Sequence, residues 1–320
     1  MHLKRPAVFL LTLALIVSVT VSCVTQPWVK GVESPQVDVD AAALERHVRA
    51  LAVEFHPRSV ENPAQLRAAG DYVLEQMRAA GASPEIQDVD VNGSLHRNFI
   101  AHFGPATGPL LVIGAHYDAC GQTPGADDNA SGVAALLELT RLLAQNPPSQ
   151  SVELVAYTLE EPPYFRTDSM GSYWHARELA RQKREVRLMV SLEMIGFFRD
   201  GPKTQSFPVA GLGMLYPDEG NFIAVVGAYR DFGSMRRIKA LFKGASDLPV
   251  ETINAPESVT GVDFSDHASY WRFDMPALMV TDTAFLRNPN YHRPGDTPDT
   301  LDYARMAKVV RAMHAVAMQF

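Results

Sequence analysis

Apolar positions along this chain change their period from stretch to stretch, and each period predicts an element. From residue 41, Leu44, Val48, Leu51 and Val53, then Leu66, Ala69, Val73, Leu74 and Met77, recur at helical spacing. Gly81 follows as the glycine that commonly closes a helix. Beyond it come short apolar runs that stop at polar or acidic residues. Residues 98–102 form one, and 109–115 (PLLVIGA) are continuously apolar up to His116. Residues 152–159 (VELVAYTL) stop at Glu160, and 186–192 (VRLMVSL) stop at Glu193. Residues 222–228 and 277–280 are further strand candidates, and helical periodicity occupies 131–145, 171–182, 232–243, 265–273 and 301–316. Continuous apolar strands alternating with helices predict an α/β fold, a mostly parallel sheet covered on both faces. With no internal repeat and no second run of alternation, one domain is expected over 41–320.

The start of the chain reads differently. Lys4 and Arg5 precede an uncharged, almost wholly apolar run over 7–21, and fifteen residues fall short of a membrane span, which needs about 20. A basic start, a short apolar stretch and small residues after it are the layout of an export signal, here over 1–23. Thr20-Val21-Ser22-Cys23 resembles a bacterial lipobox, with Thr20 where Leu is usual. Lipidation of Cys23 or ordinary cleavage are the two outcomes it offers. Either gives an exported protein of the bacterial cell envelope, touching the membrane only through a lipid anchor if Cys23 is modified. The polar, Pro-containing stretch 24–40 reads as a tether.

Composition narrows the partners. Asp plus Glu number 36 against 29 Lys plus Arg, a formal net charge of −7, with 47% apolar and 20% charged residues. That is ordinary for a globular protein and excludes a disordered chain, a fibre and a polytopic membrane protein. The acidic balance leaves no electrostatic footprint for nucleic acid. The two cysteines are too few for a disulfide framework, and lipid on Cys23 leaves Cys120 a free thiol.

Chemistry gathers where the strands end. Ligands of open α/β sheets bind outside the carboxyl ends of the strands, and His116, Glu160, Glu161 and Glu193 stand at such ends. The densest segment runs from Gly114 to Leu139: His116 and Asp118 leave a strand, and Asp127 and Asp128 precede a helix start. Helix capping accounts for one acidic residue there. It does not account for a second, nor for the upstream His-x-Asp, nor for the adjacent carboxylates of Glu160 and Glu161. Neighbouring carboxylates repel one another and are tolerable where a cation neutralises them.

The segments GAHYD, PGADDNASG, LEE, SLEMIG, SDHASYW and NYHRPGDT, in that order, resemble the zinc-dependent exopeptidases of peptidase family M28 over most of residues 41–320. The resemblance implies the zinc-exopeptidase (phosphorylase/hydrolase-like) fold, a mixed sheet sandwiched by helices, with two zinc ions sharing one carboxylate and a water. Residue by residue, it implies His116 on one ion, Asp128 bridging both, Glu161 on one and Glu193 on the other. His292 would complete the second ion's shell, Glu160 would be the general base, and Asp118 would hold the His116 imidazole. Glu193 departs from the Asp common at that place, adding about 1.5 Å of reach with the same donor atoms. Zinc lowers the pKa of bound water to about 7, and a nearby carboxylate can carry its proton to the leaving amine. Peptide is therefore the expected substrate.

Other residues weigh less. Tyr291 is either a donor to the tetrahedral oxyanion or a packed aromatic. Asp266 and His267 belong to a network near the pocket or to a helix cap, and Asp296 is placed to orient the His292 ring. His47, His56, His96, His102, His175 and His314 lack ligand-like company, and hydrolysis requires nothing of Cys120. Residues 199–221 and 254–263 are expected as rim loops. The activities left open are a two-zinc aminopeptidase, a carboxypeptidase, a one-zinc glutaminyl-cyclase-like acyl transferase and a non-catalytic binding protein on the same scaffold. A carboxypeptidase needs a cation for the terminal carboxylate, and Arg166, Arg272, Arg287 and Arg293 lie near the motifs without pointing to one.

Overall fold

The runs that are apolar without alternation become the middle of a sheet buried on both faces. In the computed structural model, which describes residues 12, 13, 15, 18 and 21–320, the strands are β1 (Glu85–Val91), β2 (Ser94–Phe103), β3 (Leu110–His116), β4 (Ser151–Tyr157), β5 (Val186–Glu193), β6 (Ile223–Gly227), β7 (Val250–Asn254) and β8 (Ala277–Thr281). They form one eight-stranded sheet in the order β1-β2-β4-β3-β5-β8-β6-β7. The pairs β3/β4, β3/β5, β5/β8 and β6/β7 are parallel; β1/β2, β2/β4 and β6/β8 are antiparallel.

Helices α1 (Ala41–Arg49), α2 (Pro63–Ala79), α3 (Gly132–Gln145), α4 (Gly171–Arg181), α5 (Phe232–Ala245), α6 (His267–Trp271) and α7 (Tyr303–Gln319) cover the two faces. Leu111 and Ile113 of β3 face one core, with Leu44, Val73, Val133, Ile238 and Val309 of α1, α2, α3, α5 and α7. Leu110 and Val112 face the other, with Leu179 of α4 and Tyr270 and Trp271 of α6. Two-sided burial is why β3 reads as an unbroken apolar run. The hairpin β1–β2 turns at Asn92 and Gly93, both at positive φ (53° and 82°), as a two-residue hairpin turn requires. The strand β1 was not expected from the sequence: it is polar and mostly exposed. The edge strand β7 was also not expected.

The export segment read over 1–23 lies largely outside the described residues; among those described, no helix is long and apolar enough to cross a membrane. Residues 24–40, read above as a tether, lie along α5 and β7 rather than hanging free. The Thr25 carbonyl accepts from Lys239 Nζ (3.0 Å) and Thr252 Oγ1 (2.9 Å). The Val32 amide donates to the Ala240 carbonyl at 2.9 Å, and Val29, Ser34 and Val39 are buried. Gly244 permits this approach, since a Cβ there would stand 1.7 Å from the Val32 carbonyl oxygen.

Candidate active site

Three parallel strands deliver the polar residues to one edge. His116 and Glu193 are the last residues of β3 and β5, and Glu160 and Glu161 follow β4. Asp128 comes from the turn before α3, and His292 from a late loop. The Asp128 turn is fastened to the end of β5 by its own polar side chains. Asn129 donates to the Leu192 carbonyl (2.8 Å) and accepts from the Met194 amide (3.1 Å), and Ser131 Oγ accepts from the Ile195 amide (3.0 Å). Asp127 accepts from the Gly196 amide (2.9 Å) and from Asn288 (2.8 Å). With those bonds made inward, Asp128 alone of the turn's acids is left to face the cleft.

Its two oxygens look at different histidines. Asp128 Oδ1 is 3.6 Å from His116 Nε2, and Oδ2 is 3.1 Å from His292 Nε2. Glu193 Oε2 stands 3.3 Å from His116 Nε2, and Glu161 Oε2 stands 3.3 Å from His292 Nε2. Atoms able to ligate a metal form two groups, one of His116, Asp128 and Glu193 and one of Cys120, Glu161 and His292, the atoms within each lying no more than 4.8 Å apart. Glu160 Oε2 is 3.8 Å from His116 Nε2. Leu159 (φ 60°), Met194 (φ 48°) and His292 (φ 53°) sit in the left-handed region beside these groups, so backbone strain of about 1–3 kcal/mol per residue is concentrated here.

Burial sets the electrostatics. It raises Glu161 to about 8, with Asp128 adding and His292 opposing. Burial, then Glu193 and Glu161, lifts Glu160 well above the carboxylate range, although His116 works against this. Burial disfavours the charged form of His116, but Glu160 and Glu193 outweigh it and hold the imidazole well above its ordinary value. Neither ring nitrogen of His116 makes a hydrogen bond, and Glu161 Oε1 is buried without a partner. Crowded, buried carboxylates with orphaned donor atoms are a set that divalent cations complete, and imidazole plus carboxylate suits zinc.

The supporting residues divide in two. Asp118 stands 3.4 Å from His116 Nδ1 and accepts the Glu160 (3.2 Å) and Glu161 (3.0 Å) amides. Burial would raise its carboxyl, yet His116 and those amides keep it below the ordinary range. Asp296, expected to orient His292, instead accepts the Asp127 (2.9 Å) and Asp128 (3.1 Å) amides; it fixes the turn, not the ring. Asp266 is fully buried with both oxygens unpartnered, and burial pushes it up to about 7. Its neighbour Ser265, weighed from the sequence only as a helix cap, donates to Glu193 Oε2 at 2.8 Å. Tyr291 stacks on His292, ring centroids 3.9 Å apart. Arg58 was missed: fully buried, it donates to the Tyr117 (2.9 Å), Pro124 (2.5 Å) and Gly125 (2.5 Å) carbonyls and pins the loop after β3.

Two spaces meet at these residues. A polar cleft of about 510 Å³ is lined by Asp128, Glu160, Glu161, Glu193, Tyr291 and His292. An apolar pocket of about 840 Å³ adjoins it through Glu193, Phe264 and Tyr291, and is walled by Phe207, Leu212, Phe222, Ile253, Val262 and Phe285 among others. Residues of both expected rim segments, 199–221 and 254–263, contribute to that wall.

The family model for peptidase family M28 matches residues 98–317. The uncharacterized protein YfbL of Escherichia coli (strain K12) is 48% identical over 293 residues, covering 89% of this chain and 90% of that one. Leucine aminopeptidase 1 of Coccidioides posadasii (strain C735) is 26% identical over 284 residues, 83% of this chain and 67% of its own length. Among solved structures, the LapA aminopeptidase of Legionella pneumophila matches with a TM-score of 0.69 at 20% identity, over 87% of this chain and 71% of that one. The glutaminyl cyclase of Bacteroides thetaiotaomicron, bound to N-acetylhistamine, matches with a TM-score of 0.68 at 20% identity, over 90% and 100%. At such identities the two structures establish the shared fold alone.

Proposed function

The chain belongs to peptidase family M28, and from that premise we propose that it is a two-zinc aminopeptidase releasing large apolar residues from the N-termini of peptides. The observation that carries the proposal is Asp128, whose oxygens face His116 at 3.6 Å and His292 at 3.1 Å and so suit a carboxylate shared by two ions. His116, Asp128 and Glu193 would hold one ion, and Asp128, Glu161 and His292 the other. Two zinc ions bound there would lower the pKa of a water and polarise the scissile carbonyl. Glu160, beside His116 and open to the cleft, takes the proton from the attacking water and returns it to the leaving amine. Tyr291, kept protonated by burial beside the acidic cluster, offers its hydroxyl to the oxyanion. Asp118 and Ser265 hold their neighbours in place.

The apolar pocket next to Glu193 and Tyr291 fits a Leu- or Phe-sized side chain on the residue to be released. An N-terminal ammonium would find Glu160, Glu161 and Glu193 around it. Three of the four arginines near the motifs are engaged: Arg166 pairs with Asp263, Arg272 with Asp168, and Arg287 donates to Gln205 and the Phe222 carbonyl, while Arg293 is exposed to solvent. That favours an aminopeptidase over a carboxypeptidase. We place the activity in the cell envelope, with lipid on Cys23 as the anchor. Cys23 is exposed, as an anchor point must be.

An unblocked leucine anilide should be cleaved at least about 100-fold faster than its N-acetylated form, near 2.7 kcal/mol of transition-state binding. Equal rates, or conversion of N-terminal Gln without release of a residue, would overturn the aminopeptidase reading.

A further inference from the structure

Cys120, given no role by the sequence, lies inside the donor set. Its Sγ belongs to the group with Glu161 and His292, all ligating atoms within 4.8 Å of one another, and not to the group with His116 and Glu193. The turn that carries it is held firmly. The Ala119 amide donates to the Arg58 carbonyl at 3.0 Å, and Arg58 grips the loop on both sides at Tyr117 and Gly125. The Cys120 carbonyl accepts from the Thr123 amide (3.0 Å) and hydroxyl (2.8 Å). A second observation points to a ligand at this place. Glu161 is 4% exposed, and while its Oε2 faces His292, its Oε1 is buried with nothing to bond. A cation between the three side chains would satisfy that oxygen.

We infer that Cys120 is a thiolate ligand of the second metal ion, completing a set of Cys120 Sγ, Glu161, His292 and one oxygen of Asp128. The inference rests on the two-metal reading above. One sulfur, one imidazole nitrogen and two carboxylate oxygens make a full four-coordinate shell for zinc. The thiol proton passes to solvent as the metal binds. With four protein ligands, that ion would have to take a water or carbonyl as a fifth ligand, an expansion zinc accepts during reaction. The ion that His116, Asp128 and Glu193 would hold has one protein ligand fewer, and Glu160 lies on that side. A thiolate also biases the second site toward soft or borderline metals such as zinc and away from magnesium or manganese.

Spectroscopy on the full chain tests this without reference to activity. Zinc-loaded protein examined by X-ray absorption should show, averaged over its two zinc ions, about half a sulfur neighbour per zinc at about 2.3 Å, and cobalt-loaded protein should show a sulfur-to-cobalt charge-transfer band in the near ultraviolet. Cys120→Ser should abolish both signals and weaken one of the two zinc equivalents by about tenfold or more, with its circular dichroism unchanged. Two bound zinc ions with only nitrogen and oxygen neighbours would overturn the inference and leave the two-metal reading intact. Fewer than two zinc ions in the wild-type chain would overturn both. A Cys120→Ser protein that holds zinc as tightly as wild type would also count against the thiolate.

Discussion

Glu160 and Glu161 are chemically identical neighbours whose surroundings give them different work. Glu161 faces His292, whereas Glu160 faces the open cleft beside His116. Glu160→Gln should therefore keep the full metal content while activity falls by about 10²–10⁴-fold; a metal assay that finds one equivalent missing would exchange their roles. Glu193 gives a second test. Ser265 and His116 both touch its Oε2, so Glu193→Asp should retain zinc and measurable activity, and Glu193→Ala should weaken one site selectively in a metal titration. His116, Glu160, Glu161 and Glu193 stood out in the sequence because they follow apolar runs, and Asp128 because capping does not explain its turn, whereas His292 came only from the family resemblance. Arg58, Asn129 and Ser131 were not legible. Their importance lies in backbone atoms contributed by distant segments, such as the Gly125 carbonyl 67 positions from Arg58. Asp296 was misjudged for the same reason: four residues from His292 along the chain, it reaches across to the Asp127 and Asp128 amides instead.

Among the elements, β3, β4 and β5 were readable from sequence because both their faces are buried, so composition alone marks them. The strand β1 escaped notice because Glu85, Asp88 and Asp90 line a largely solvent-facing hairpin, and β7 because a short edge strand carries Glu251 and Asn254 among its five residues. The short helix α6 carries a consequence for acid stability. His267 at its start is fully buried, with Nε2 against the Val262 carbonyl at 2.8 Å and Nδ1 unpartnered, and burial lowers it to about 4. Its unfolded value is about 6.5, so between pH 6.5 and 4 the unfolded chain binds more protons. The stability conferred by the neutral ring is complete above pH 6.5 and is lost as pH falls to 4, by about 3 kcal/mol. Urea unfolding of wild type and His267→Gln at pH 7, 5.5 and 4 checks this: the variant should have the shallower pH dependence, and equal slopes would assign the loss to another group.

At the scale of the whole molecule, the segment after Cys23 is part of the domain and not a leash. The Cys23 carbonyl itself accepts from Asn254 Nδ2 at 3.1 Å. A lipid on Cys23 would therefore hold the domain close to the bilayer and restrict its orientation. Full-length protein made in a lipoprotein-competent bacterium should fractionate with membranes, and Cys23→Ala should release it or block its processing; identical fractionation of the two would favour ordinary secretion. The same packing has a consequence for association. The strand β7 closes the sheet on one side, and a bare edge of this kind offers amides and carbonyls to the next copy of the chain. Here the Thr252 carbonyl is taken by the Tyr216 hydroxyl at 2.7 Å, and its side chain by the Thr25 carbonyl. Tyr216 and residues 23–25 thus lie over this edge, and a chain clipped beyond Thr25 would bare the Thr252 and Asn254 side chains.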